Sequence, residues 1–347
     1  MVVGPDGALP LPWLAETLRA TLSQHKAHAL QLHAHPGIGA LEFSLTLAQS
    51  WLCESGQAIA CGQCQSCKLV QAKMHPDLML LMPEAQRQEL AWPLIGDKSD
   101  GAEADGEGGK ARKKPSRQIR IDEVRMAIEW MAKTTSRGGA KVLVLHPAQQ
   151  LNVQAASALL KTLEEPPAAA RIVLSAADPE HLLPTIRSRC QRLVLPKPSH
   201  AQALPWLQQQ GVQDAEVLLA AASGRPLAAL EMHRAGITAH AWQALPAAVA
   251  RGDASAFAAW PAPRVVDALL RLCHDAMGLA VGGQALYFAA SGLPARLDMA
   301  RLVAWQQTLL RISRHDEHTW NDGLLFEAIV AEGSTALSQR RLDTLRA

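Results

Sequence analysis

The sequence predicts an α/β domain built on a mostly parallel sheet, followed by an all-helical region. Three observations lead there. Short apolar strands alternate with helical stretches between residues 29 and 195, the pattern of strands joined by helices that cover both faces of a sheet. The first strand runs into a Gly-rich turn, His35-Pro36-Gly37-Ile38-Gly39, that opens a helix, as in many nucleotide-binding α/β domains. Beyond Pro196-Lys197-Pro198, a hinge by composition, the periodicity is helical only. At 347 residues the chain is long enough for two or three domains, and 48% hydrophobic against 19% charged residues suits a packed core.

The elements follow in order. Residues 13–28 carry Trp13, Leu14, Leu18 and Leu22 on one side of an amphipathic helix. Ala29–His33 is a short strand, and a helix runs from about Ala40 to Leu52. A cysteine-rich stretch interrupts the chain before the apolar strand Leu78–Leu81. Residues 96–117 place five glycines among Asp97, Asp100, Glu103, Asp105 and Glu107, followed by five Lys or Arg residues. Nothing there is large and apolar, so a disordered surface insertion is expected. Ile121, Val124, Ile128 and Met131 share one helix face, with Asp122 and Glu123 favouring its start through the helix dipole. Lys141–Leu145 is a buried strand. Asn152–Glu164 is a helix stopped by Pro166-Pro167. Arg171–Leu174 is a strand, a helix covers about Pro179–Ser188, and Arg192–Leu195 is the last strand. Helix breaks are expected near Gly211, Gly224, Gly252 and Gly292.

Charge and composition exclude several function classes. Lys plus Arg total 34 and Asp plus Glu 32, a net charge of +2, so the whole chain is no polyanion binder. Aromatics are 4%, nine of the fourteen being Trp, which argues against a base-stacking platform. No apolar run reaches the roughly 18 residues of a membrane span. The start, MVVGPDGALPLPWL, has neither a basic segment nor a long apolar one, so no signal peptide and a cytoplasmic location are expected.

A working P-loop surrounds phosphates with backbone N–H groups and then supplies Lys and Ser or Thr. Gly37 and Gly39 keep the turn, but Ala40 and Leu41 occupy the two functional positions. Alanine neutralises no phosphate and leucine ligates no magnesium. The strand Val142-Leu143-Val144-Leu145 should end in an acidic pair that holds the metal, and it ends in His146-Pro147. The nucleotide fold is predicted to be present and its chemistry absent; as a plain tight turn, Gly37 and Gly39 lead to the same conclusion.

Cys53, Cys61, Cys64 and Cys67 lie within fifteen residues, whereas Cys190 and Cys273 stand alone. In a reducing compartment such a cluster reads as a metal site rather than a disulfide framework. Four thiolates suit tetrahedral Zn²⁺, while Cys-x2-Cys-x2-Cys also suits an iron–sulfur cluster. With four ligands in place, His75 is surplus and reads as structural. Cys190 and Cys273 read as unmetallated thiols.

The segment NVQAASALLKTLEEPP (152–167), the stretch LSAADPEHLLPTIRSRC ending in Ser188-Arg189-Cys190, and the four-cysteine insertion after the first core helix closely resemble the non-ATPase clamp-loader subunits of the AAA+ family, parts of the bacterial DNA polymerase III holoenzyme. The likeness covers roughly residues 25–230. The degenerate loop fits that branch better than the related gamma/tau subunits, whose loop carries Lys-Thr. The resemblance implies a Rossmann-like P-loop NTPase fold over 1–197 with a zinc knuckle at 53–67, a small helical lid over 198–238 and an all-α C-terminal collar over 239–347. It implies a stator in a ring with gamma/tau and delta subunits that loads the sliding clamp onto primer–template DNA, with no membrane contact. Arg189 would be an arginine finger acting in trans on a neighbour's ATP. The resemblance, with no Cys-Pro downstream, favours structural Zn²⁺ on Cys53, Cys61, Cys64 and Cys67. The insertion at 96–117 is longer than the family pattern, and Leu227 in Gly224-Arg225-Pro226-Leu227 stands where ATP-binding relatives place a lid arginine, with Arg225 nearby.

Two rival readings remain. A true AAA+ ATPase acting alone conflicts with Ala40-Leu41 and His146-Pro147. A stand-alone zinc-finger DNA binder conflicts with the near-neutral charge and with a post-knuckle helix whose only cations are Lys68 and Lys73.

Overall fold

A computed structural model describes residues 1–25, 27–93, 115–294, 296–314 and 321–338. The chain divides into two compact units, Met1–Pro198 and Ser199–Ala347. In the first, α1 (Ala15–Gln24), β1 (Ala29–His33), α2 (Ala40–Leu52), α3 (Gln65–Gln71), β2 (Leu78–Leu81) and α4 (Glu84–Glu89) are followed by α5 (Ile121–Met131), β3 (Lys141–Leu145), α6 (Val153–Glu164), β4 (Ala170–Ala176), α7 (Pro184–Arg187) and β5 (Gln191–Val194). Among the described residues five strands form one parallel sheet in the order β2-β3-β4-β1-β5.

The central strands are apolar on both faces because both are covered. Met79, Leu81, Leu143, Leu145, Ile172 and Leu174 point one way, into a core completed by Val124, Ala127 and Met131 of α5 and Ala155, Leu159 and Leu163 of α6. Strand alternation sends Leu30, Leu32, Leu80, Val142, Val144 and Val173 to the other face, where α2 lies against β3 and β4. Helix α2 also touches α1 and α3, which is why it is buried at nearly every position from Leu41 to Leu52.

Several local signals act as the sequence suggests. Asn152 caps α6 by accepting from the Ala155 N–H at 2.8 Å. Glu123 reaches back to the Arg120 N–H at 3.0 Å. The expected helix over 13–28 begins as a 3₁₀ turn at Pro12–Leu14 and ends at Gln24. The helix expected over Pro179–Ser188 is two pieces, a 3₁₀ turn at Pro179–His181 and the short α7. The cause is Pro184, whose ring forces the preceding Leu183 to an extended ψ of 134°. The helix expected after the knuckle is the short α3, which carries Lys68 and ends before Lys73; the sequence reading has no counterpart of α4. Of the insertion expected at 96–117, residues 96–114 lie outside the described residues. Ser116 is tied down, its N–H to Glu84 Oε2 at 3.2 Å and its carbonyl to the Ala85 N–H.

The described residues of the second unit form only helices: α8 (His200–Gln209), α9 (Ala215–Ala221), α10 (Pro226–Arg234), α11 (Ala239–Ala250), α12 (Ala262–Ala280), α13 (Met299–Ser313) and α14 (Asp322–Leu337). Trp242 stacks on Phe288 at 4.9 Å, and Trp305 donates Nε1–H to the Ile329 carbonyl at 2.9 Å. Gly211, Gly224 and Gly252 take left-handed φ angles at helix ends, and Gly292 lies in a 3₁₀ turn. Among the described residues no helix is long and apolar enough to cross a membrane.

Candidate functional site

The Gly-rich turn sits at the carboxyl end of β1, the edge at which open α/β sheets bind ligands. Gly37 and Gly39 have φ of 84° and 111°, and Gly39 caps α2. The turn closes on itself: the Ile38 N–H donates to the His35 carbonyl at 3.3 Å, and the Ile38 carbonyl accepts Trp13 Nε1–H at 3.2 Å. Ile38 and Leu41 are buried apolar side chains. The Ile38 N–H is therefore spent inside the turn, and the two positions after Gly39 offer a methyl group and an isobutyl group.

Across the same edge, β3 ends at Leu145 and is followed by His146 and a cis Pro147. His146 Nδ1 meets Ser175 Oγ at 2.6 Å, and that hydroxyl donates to the Leu145 carbonyl at 3.3 Å. Burial lowers the imidazole to about 4, so it is neutral near pH 7. A neutral imidazole hydrogen-bonded to its own sheet has replaced the acidic pair that would hold magnesium. Ser175, its partner on β4, left no signal in the sequence.

The cysteines lie at the far end of α2, whose 13 residues put them about 20 Å from the Gly-rich turn. The Sγ atoms of Cys53, Cys61, Cys64 and Cys67 all lie within 4.8 Å of one another. The Cys53–Cys64 and Cys61–Cys67 separations are 3.9 and 4.0 Å. A tetrahedron with 2.3 Å Zn–S bonds has edges of about 3.8 Å, so the donor set fits a single tetrahedral ion. It is too compact for ligands that must reach different irons of a cluster. Backbone N–H groups point at the sulfurs: Cys61 at Cys53, Gln63 and Cys64 at Cys61, and Cys67 at Cys64, all at 3.3–3.4 Å. Those from Gln63 and Cys64 lower Cys61 to about 6, whereas burial pushes Cys67 up. A divalent cation reverses that cost, because a coordinating thiol is deprotonated outright.

Two sets of contacts hold the knuckle. The N-terminal segment lies over it: Val3 is fully buried with Ala60 and Cys67, Gln49 and Gln71 accept from or donate to the Val3 backbone, and Gln63 Nε2 donates to the Pro5 carbonyl at 3.0 Å. Below it runs a polar network. Ser66 of α3 donates to Glu54 at 3.0 Å, and Arg137 holds the same carboxylate at 2.7 Å. His75 Nδ1 accepts the Asp77 N–H, which leaves Nε2–H for Ser66 Oγ at 3.1 Å. Asp77 in turn accepts the Ser136 and Arg137 N–H groups at 2.9–3.1 Å and lies 3.7 Å from Lys141. His75 thus belongs to the support and not to the thiolate set, and desolvation keeps it neutral by lowering its pKa.

Arg189 lies between α7 and β5 at the amino edge of the sheet, opposite the chain's own Gly-rich turn. Its guanidinium binds Glu164, the last residue of α6. Ser188 Oγ caps the Thr185 carbonyl at 3.1 Å, and Cys190 packs on the core, where burial pushes its thiol up to about 12. Cys273 is raised likewise to about 12, and both thiols are unreactive as nucleophiles. Arg225 donates Nε–H to the Ala222 carbonyl within its own turn, and Leu227 is half-buried on α10.

A family model described as "DNA polymerase III, delta subunit" matches residues 12–199, more than half of the chain. DNA polymerase III subunit delta' of Pseudomonas aeruginosa is 35% identical over 220 residues, 62% of this chain and 58% of that relative. The Haemophilus influenzae protein of the same name is 34% identical over 235 residues, covering 65% of this chain and 62% of its own. The Escherichia coli protein, again subunit delta', is 31% identical over 283 residues, 75% of this chain and 76% of the relative. The matches therefore span 58–76% of the relatives' own lengths. A sheet that keeps the nucleotide-binding turn without its reactive groups, and a sequence that tracks these relatives so far, lead to one conclusion: the chain belongs to the DNA polymerase III subunit delta' family.

Proposed function

We propose that this chain is a non-catalytic subunit of the bacterial DNA polymerase III clamp loader. It would act as the stator of a cytoplasmic ring with gamma/tau and delta subunits, which loads the sliding clamp onto primer–template DNA. It would bind no ATP itself and would lend Arg189, within Ser188-Arg189-Cys190, to the ATP site of a neighbouring gamma/tau subunit. The observation that carries this reading is the chemistry of the nucleotide edge: Leu41 is buried there, and a neutral His146 replaces the acidic pair. The position of Arg189 agrees with a role in trans. It stands at the amino edge of the sheet, a strand's length of about 15 Å from the chain's own Gly-rich turn, so a phosphate partner belongs to another chain.

In this reading residues 1–197 are the AAA+ core, 198–238 the lid and 239–347 the collar that holds the ring. Cys53, Cys61, Cys64 and Cys67 would hold structural Zn²⁺, which cross-links the 53–67 lobe. All four thiols serve the ion, and the lobe lies about 20 Å from the nucleotide edge, which suits a structural rather than a water-activating metal.

Calorimetric titration of the purified chain with Mg-ATP tests the nucleotide reading: no binding in the micromolar range and no turnover are expected. Micromolar binding would reject it. Native mass spectrometry of the chain mixed with gamma/tau and delta subunits tests the assembly, and no complex of defined stoichiometry would reject the loader reading.

A further inference from the structure

Arg189 is engaged by its own chain before any neighbour arrives. Its Nε donates to Glu164 Oε1 at 2.8 Å, and Nη2 donates to the same oxygen. Nη1 donates to the Thr185 carbonyl at 2.8 Å and to Ser188 Oγ at 3.3 Å. A guanidinium has five N–H groups, so a single Nη2 hydrogen is left over. Recognition of a phosphate by the planar fork takes two parallel N–H bonds. The Nε–Nη2 edge that would supply them is the edge Glu164 occupies.

We propose that Glu164 is the positioning residue of Arg189: its carboxylate stands in for a phosphate on the Nε–Nη2 edge of the free chain and yields that edge when a neighbouring subunit presents one. This rests on the trans-acting role of Arg189 proposed above. The geometry suits an exchange. The Arg189 and Glu164 side chains are 32% and 49% exposed, so the pair is of the weak, solvent-screened kind. A phosphate carries more negative charge than a carboxylate and displaces it at little cost. The other end stays fixed, because Thr185 and Ser188 hold Nη1 while the half-buried Cys190, packed on the core, anchors the backbone. The guanidinium can therefore swing about Nη1 without losing its place. Arg187 does not compete for Glu164, since it is paired with Glu180. Glu164 itself is the last residue of a 12-residue helix ahead of Pro166-Pro167.

The test has two arms. In the isolated full chain, the Arg189 Nε–H, identified by its loss in Arg189→Lys, should exchange with solvent up to about fivefold more slowly than in Glu164→Gln, the protection an exposed ion pair gives. Equal exchange in the unmodified chain and in Glu164→Gln would overturn the proposal. In a loader reconstituted with gamma/tau and delta, Glu164→Gln should lower the KM for ATP by no more than about fivefold, the ceiling for an exposed ion pair. It should leave kcat unaltered and have no effect when Arg189 is already alanine. An equal shift in both backgrounds would make Glu164 merely structural, and a fall in kcat confined to chains with Arg189 would make it a permanent support; either overturns the exchange. If Arg189→Ala itself leaves ATPase unchanged while the Nε–H is protected, the finger reading fails. The pair is then a lasting surface contact, and nothing is exchanged.

Discussion

Gly62→Ala should loosen the cysteine knuckle, and Gly56→Ala in the same loop provides the control. Both glycines have left-handed φ, +74° and +73°, so either alanine incurs about 1–2 kcal/mol of backbone strain. Their surroundings differ. A Cβ at Gly56 meets nothing within 4 Å, whereas one at Gly62 overlaps the Gly4 carbonyl oxygen and lies 2.9 Å from its carbon. The obstacle is backbone and cannot rotate away. Either the knuckle absorbs the overlap, at the roughly 1–3 kcal/mol typical of overpacking, or the N-terminal segment lifts off. Lifting exposes the fully buried Val3, worth about 1.5–3 kcal/mol, and breaks the Val3 N–H bond to Gln49 at 2.8 Å and the Gln71 bond to the Val3 carbonyl at 2.9 Å. Gly62→Ala should therefore cost about 1–3 kcal/mol more than Gly56→Ala. Zinc competition with a chelator on the full chain reads that difference as a further five- to 150-fold loss of affinity, at about 1.4 kcal/mol per decade. Equal losses in the two variants would show that Gly4 is not seated against Gly62 and would refute the reasoning.

Arg189→Ala should leave folding and assembly intact and slow the clamp- and DNA-stimulated ATPase of the reconstituted loader, with Arg189→Lys rescuing poorly because a point charge lacks the planar fork. A finger is worth about 10³–10⁵ at its own site, so the total defect is smaller when other sites keep theirs. Gly333→Ala places a Cβ 2.6 Å from Trp305 Cζ2 and 2.7 Å from Val249 Cγ1; overpacking of about 1–3 kcal/mol should outweigh the roughly 1 kcal/mol gain in helix propensity and lower the Tm by a few degrees, and a raised Tm would contradict the packing. The buried His146 sits at about 4 against an ordinary 6.5. The unfolded chain therefore takes up a proton that the folded chain refuses. Its contribution to stability should be complete above pH 6.5, fall as pH drops from 6.5 to 4 and level off below. Denaturant titrations across that window should show a slope that His146→Asn reduces.

Local periodicity carried much of the first unit. β1, α2, β2 and β3 have the bounds their apolar runs suggest, because each is a short segment whose partners need only be apolar. Pro184 limited that reading: one ring before Thr185 divides a segment that looks helical by pattern. The knuckle was legible for the opposite reason. Its four ligands lie within one stretch, and a sulfur set needs little beyond spacing to be recognised.

What the amino-acid sequence determined by itself was therefore chemical identity: which groups the nucleotide edge lacks, which four thiols can share an ion, and which residue carries a planar fork beside Cys190. Tertiary structure decided who meets whom. The order β2-β3-β4-β1-β5 sets β1 between two strands from far along the chain, which puts the Gly-rich turn and His146 on one edge and Arg189 on the other. Glu164 reaches Arg189 across 25 positions of sequence, and Arg137 reaches Glu54 across 83. No periodicity encodes these pairings. They arise because a parallel sheet returns every strand to the same edge through a crossover, so side chains remote in sequence arrive together only once all the strands are in register.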